Sequence, residues 1–122
     1  MNRVAIPLVD DRLSEYFGQC SHYEIFEIDN KTIKSSRIGI PTHPDMEKIP
    51  DWVIEKGITD IITHKMDKRI FSLFRDTKIN LFVGIPIDSP AVLIQSYLNG
   101  SLKSDTRIIH EITKQTDNST LL

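Results

Sequence analysis

Cys20 and His22 stand two positions apart, so a strand that has begun by residue 20 turns both toward one side. A thiol and an imidazole at that spacing suit two soft-to-intermediate metal ligands. His64 follows the apolar run Ile61-Ile62-Thr63, where a strand meets a helix N-terminus, and can ligate a metal or hydrogen-bond the loop. A lone cysteine equally serves as a small packed hydrophobe. His43, between Thr42 and Pro44, reads as a solvated loop residue, and His110 as an exposed residue of the tail. Met66 offers a thioether or simple packing. Lys65-Met66-Asp67-Lys68-Arg69 gathers three cations at a helix start, which can hold an anion or form a solvated charged face. No glycine-rich phosphate loop accompanies them.

These residues need elements to position them, and the apolar pattern supplies an order βββαβαβα. Val4-Ala5-Ile6-Pro7-Leu8-Val9 is short and nearly all apolar, which predicts a strand buried on both faces, although Pro7 lacks a ladder donor. His22–Ile28 and Thr32–Ile40 flank the turn residues Asp29-Asn30-Lys31 and read as a hairpin. Pro50 and Gly57 bracket a helix, and Ile58–Thr63 follows as a short buried strand. Asp67 caps a helix carrying Ile70, Phe71, Leu73 and Phe74, Ile79–Val83 forms the fifth strand, and Asp88 or Ser89 with Pro90 opens a last amphipathic helix. After Leu102 the composition turns polar, with Ile108, Ile109 and Ile112 as its apolar cluster. The division expected is a domain over 1–102 and a short helix and/or disordered tail over 103–122.

A meander of the first three strands, with the next two parallel to strand one, brings several loops to one edge. Asp10, Asp11, Tyr16, Cys20, His22, His43 and His64 all fall near it, where open α/β sheets bind ligands. Asp60 instead begins its strand, about 13 Å away from Asp10 and Asp11, so carboxylates do not converge for two-metal hydrolysis. No third group orients a Cys20–His pair for nucleophilic catalysis. The expected protein is therefore not an enzyme.

In 122 residues, 15 Lys and Arg face 17 Asp and Glu, and a net charge of −2 gives no general attraction to nucleic acid. One cysteine cannot form an internal disulfide, and the start of the chain lacks an apolar run suited to a signal peptide or membrane span. The expected setting is soluble and cytoplasmic, without membrane or nucleic-acid partners.

Five stretches carry a resemblance: Val4-Ala5-Ile6-Pro7; Arg12–Gly18 with His22–Ile28; Lys56–Ile62; Lys78–Gly84; and Tyr97–Leu102. Over residues 3–102 the chain resembles the dinitrogenase iron–molybdenum cofactor biosynthesis family, small accessory domains that bind nitrogenase cofactor or its precursor. The resemblance implies a ribonuclease H-like α/β fold, a mixed sheet of five strands with helices on both faces. It also implies a labile iron–molybdenum or iron–sulfur cluster as ligand, and a client or donor protein as partner.

Two positions depart from the family pattern. Tyr16 stands where a histidine usually precedes Phe-Gly, and His64-Lys65-Met66-Asp67 replaces a glycine-rich turn. A phenol is a poor substitute for imidazole on most iron sites, so Cys20 and His64 become the replacement anchors. The candidate metal ligands are Cys20, His22 and His64, and the candidate ligand contacts are Tyr16, Gly18, Lys65 and Met66. Stable iron–sulfur clusters take about four thiolates, and a chain with one cysteine fits a carrier better than a permanent housing. The alternative is a metal-free regulatory or interaction module that homodimerises through the exposed sheet edge.

Overall fold

The apolar run near the start of the chain becomes β1 (Asn2–Val9), the central strand of a mixed sheet. Both of its faces are covered, and Val4, Ala5, Ile6 and Leu8 are fully buried. The structure is a computed structural model and describes residues 1–41 and 46–120. His43 lies outside the described residues.

The other strands are β2 (Arg12–Leu13), β3 (His22–Asp29), β4 (Thr32–Gly39), β5 (Asp60–Ile62) and β6 (Asn80–Phe82). Their spatial order is β4-β3-β1-β5-β6, with β2 paired to β1. As the loop lengths predict, β1, β3 and β4 form an antiparallel meander, while β5 and β6 continue parallel to β1. The β3–β4 turn takes positive φ at Asn30 and Lys31, the geometry that matches strand twist in a two-residue hairpin.

The sheet has six strands, not the expected five. Asp10 and Asp11 also take positive φ, so β1 doubles back and Leu8 pairs with Leu13, Val9 with Arg12. Leu13 buries its side chain, which a polar loop would not do. The same arrangement accommodates Pro7. Pairing with β5 is last seen at Ala5, pairing with β2 begins at Leu8, and the Pro7 carbonyl between them accepts from Ser14 N–H at 2.8 Å.

Four helices follow: α1 (Ile49–Glu55), α2 (Lys68–Arg75), α3 (Pro90–Leu98) and α4 (Thr106–Thr120). On one face of the sheet, Ala5, Tyr23, Ile25 and Ile61 pack with Trp52 and Val53 of α1, Ile70 and Phe74 of α2, and Ile112 of α4. On the other, Val4, Ile6, Phe26 and Ile62 pack with Leu93 and Ile94 of α3. Each such side chain contributes roughly 1.5–3 kcal/mol by leaving water. Asp67 caps α2 by accepting from Arg69 N–H at 2.8 Å, and Ser89 caps α3 ahead of Pro90. Among the described residues no helix is long and apolar enough to cross a membrane.

The segment after Leu102 docks before it coils. Ser104 Oγ accepts from Val83 N–H at 3.0 Å, and Asp105 N–H donates to the Val83 carbonyl at 2.7 Å. Gly84 permits this approach: a β-carbon there would lie 2.6 Å from Asp105 Cβ. α4 then runs against the sheet layer, with Ile108 and Ile109 packed beside the buried Ile112.

Candidate functional site

Two loops meet at the carboxyl rim of the parallel strands and are tied as one rung of a parallel ladder. Phe17 N–H donates to the Lys65 carbonyl at 2.8 Å, and Lys65 N–H donates to the Glu15 carbonyl at 3.0 Å. The first loop is held from below by Phe17, which is fully buried and meets Tyr23 and Phe74 edge-on, ring centres 5.6 Å apart in each pair. The buried Ser14 hydroxyl is shared between the Tyr16 carbonyl at 2.8 Å and the Gln19 carbonyl at 2.9 Å. Gly18, with φ of 90°, turns the chain between them.

That construction leaves the Tyr16 ring 37% exposed, with the Lys65 ammonium 5.9 Å from its centre. Lys65 also faces Glu111 of α4, Nζ to Oε1 3.8 Å. Between these groups opens a cavity of about 170 Å³. Tyr16, Phe17 and Gln19 form one wall, Lys65, Met66 and Asp67 another, and Ile108, Glu111 and Ile112 of α4 the third. Three of the four expected ligand contacts, Tyr16, Lys65 and Met66, thus share one cavity, and Gly18 shapes the loop beside it.

The three expected metal ligands are not brought together. β3 starts at His22, so the two-residue alternation that would align Cys20 with His22 has not begun at residue 20. Cys20 packs against the Phe17–Tyr23 cluster. His22 lines a groove on the opposite face with Leu8, Asp11, Glu24 and Pro90. His64 is half-buried at the rim, its Nδ1 2.9 Å from the Ile85 carbonyl. A carbonyl only accepts, so Nδ1 carries a proton, and a neutral ring would have its lone pair on Nε2. Among the described residues no three His, Cys, Asp or Glu side chains gather to hold a metal ion.

Burial pushes the Cys20 thiol up, and the neighbouring Tyr23 hydroxyl and the backbone at Gly18 and Leu8 offset part of that rise. The thiol therefore stays protonated near neutrality, the state of a packed cysteine and not of an activated nucleophile. Tyr23 is pushed up by its own burial and then by the neighbouring Cys20. Its hydroxyl has no partner in hydrogen-bonding geometry. The carboxylates are further apart than the separation of about 13 Å that the sequence implies. Val4 pairs with Asp60, so Asp10 lies six residues further along β1, about 20 Å by strand rise.

The third wall is what sequence reasoning missed. Ile108 and Ile112 are four apart, a helical face whose partner was not visible from composition. Glu111 and Gln19 carried no signal of their own.

The family model described as dinitrogenase iron-molybdenum cofactor matches residues 1–100, which include both loops of the rim and stop short of α4. The uncharacterized protein MJ0580 of Methanocaldococcus jannaschii is 27% identical over 85 residues, 66% of this chain and 72% of that protein. Among solved structures, the crystal structure of PH0822 superposes with a TM-score of 0.74 at 23% identity, covering 84% of this chain and 94% of the other. The apo form of the orange protein from Desulfovibrio gigas does so with a TM-score of 0.68 at 15% identity, covering 86% and 93%. At these identities the two structures show a shared fold.

Proposed function

Because this chain belongs to the dinitrogenase iron-molybdenum cofactor family, which points to a role in dinitrogenase cofactor biosynthesis or binding, we propose that it carries an iron-containing metallocluster. It does so as a non-catalytic cytoplasmic domain with the ribonuclease H-like arrangement expected of that family. The observation that supports this reading is the rim cavity, built by two loops that both lie inside the family match. The donor set fits a passing cargo. A phenol, an ammonium, an amide, a thioether and the Asp67 and Glu111 carboxylates surround the cavity, His64 is the one imidazole at that rim among the described residues, and the chain has one thiol. Stable clusters take about four thiolates, so a cluster seated here keeps most of its inner bonds to other ligands and exchanges readily with a donor or client protein.

Anaerobic titration of the full chain with isolated iron–molybdenum cofactor, read by visible absorption and by iron retained after gel filtration, tests this. One cluster per chain, passed on to an apo acceptor, is the expected result; no retained iron overturns it. A second reading, a metal-free module that pairs with its own copy, draws on β4, whose residues Thr32–Ile38 are all exposed at the sheet edge. Sedimentation at several concentrations, with and without cofactor, separates the two: a dimer that forms without iron supports the second.

A further inference from the structure

Besides the Tyr16 phenol, three side chains that carry charge near neutrality line the rim cavity among the described residues: Lys65, Asp67 and Glu111. Asp67 is already committed, since its carboxylate accepts from Arg69 N–H at 2.8 Å and lies 3.8 Å from Arg69 Nε. Lys65 is the cavity's cation, and Glu111 faces it from 3.8 Å, longer than a charge-assisted hydrogen bond. Phe17, Met66, Ile108 and Ile112 make the remaining wall apolar, which strengthens any charge contact made there.

We infer that the ligand of this cavity is an anion anchored on Lys65, and that Glu111 of α4 is its built-in competitor. The inference rests on the proposed carrier function and adds the charge class of the cargo and a means of releasing it. Binding exchanges the Lys65–Glu111 pair for a Lys65–ligand pair. Glu111 is 56% exposed, so its side chain swings into water without moving α4, which Ile108 and the buried Ile112 hold in place. When the ligand leaves, Glu111 returns and reoccupies Lys65. A [4Fe–4S]²⁺ core carrying four thiolates has a net charge of about −2, of the sign that Lys65 attracts. α4 lies beyond the family match, so the competitor is appended to the family's rim and does not belong to it.

The test is anaerobic titration of the full chain with a [4Fe–4S] cluster bearing four simple thiolates. The proteins compared are the wild type, Glu111→Gln, Lys65→Gln, the double variant and Lys65→Arg. Removing a partly exposed competitor tightens binding about threefold in Glu111→Gln. Removing the anchor weakens it about tenfold in Lys65→Gln. The double variant matches Lys65→Gln alone, because Glu111 acts only through Lys65, and Lys65→Arg retains wild-type binding. If the wild type binds and either single change to Gln leaves the affinity where it was, the competitor idea is overturned while the carrier function stands. If no protein binds this cluster while the wild type retains iron–molybdenum cofactor, the inference falls and the carrier function stands; if the wild type retains neither, both fall.

Discussion

At the amino end of β5 the buried Asp60 carboxylate meets three donors, whereas at the carboxyl end of the same strand His64, Lys65 and Cys20 leave donors and acceptors loosely engaged. Asp60 accepts from Thr59 Oγ1 at 2.7 Å, Asn80 Nδ2 at 3.0 Å and the Tyr97 hydroxyl at 3.0 Å, and Tyr97 in turn accepts from Asn2 Nδ2 at 2.7 Å. This network joins β1, β5, β6 and α3. Burial pushes the Tyr97 phenol up, the Asn2 amide offsets part of that, and the Asp60 charge adds to it. At the rim, the Lys65–Glu111 contact is 3.8 Å long, the Tyr23 hydroxyl lacks a partner, and His64 spends one nitrogen on the Ile85 carbonyl. A satisfied buried carboxylate is a structural lock, since every bond it makes would have to be broken for it to serve a ligand. Uncommitted groups beside a cavity are free to serve one. The groups left available to a ligand therefore lie at the rim, and the closed network at the base serves stability.

The largest expected effect breaks that division. Phe17 belongs to the rim loop yet sits in the core, so Phe17→Ala removes a buried ring and both edge-on contacts at a cost of about 4 kcal/mol. It also frees the loop that pairs with Lys65. Urea denaturation together with cluster titration should show both losses; a variant that keeps full stability would mean that the loop is not anchored through Phe17. Asp60→Ala sharpens the division instead. It strands the Asn80 amide and the Thr59 and Tyr97 hydroxyls and costs about 3 kcal/mol, while cluster binding measured below the unfolding transition stays at the wild-type level. A change in binding without a change in stability would contradict the assignment of Asp60 to structure.

Much of this layout was legible because it depends on local rules. Asn30-Lys31 closes a hairpin, Asp67 and Ser89 start helices, and crossover connections make β5 and β6 parallel to β1, all as their residue types dictate. The same reasoning placed Tyr16 and His64 on a common edge, and the bridge found there pairs Tyr16 with Lys65, the residue after His64. β2 was missed because two consecutive aspartates at positive φ carry a weaker turn signal than Asn-Gly or Asp-Gly. α4 was underrated because its amphipathic face acquires meaning only through the cluster it covers, which long-range packing creates. The juxtaposition of Cys20 with His22 turned on where β3 begins: Cys20 precedes the strand, so the alternation that puts residues two apart on one face does not reach it.

The smallest effect concerns Cys20, which sits at the border between loosely engaged rim and closed core. Its thiol is raised from the ordinary value of 9.0, chiefly by burial, so the folded protein holds its proton at a pH where the unfolded chain has begun to lose it. Stability from this group is complete below the unfolded value and is lost as pH rises from there through the folded one. Denaturation midpoints should therefore fall as pH rises above roughly 8.5 in the wild type, and fall less steeply in Cys20→Ser, which has no thiol to titrate. Tyr23 is raised in the same direction, by its own burial and partly by Cys20 itself, so the two proteins are compared below the ordinary phenol value of 10.0, where the cysteine dominates. Alkylation gives the kinetic counterpart: at pH 8 the folded wild type should react more slowly than the urea-unfolded chain. Equal rates in the two states would place Cys20 among the available rim groups and return the thiol to the list of candidate cluster ligands.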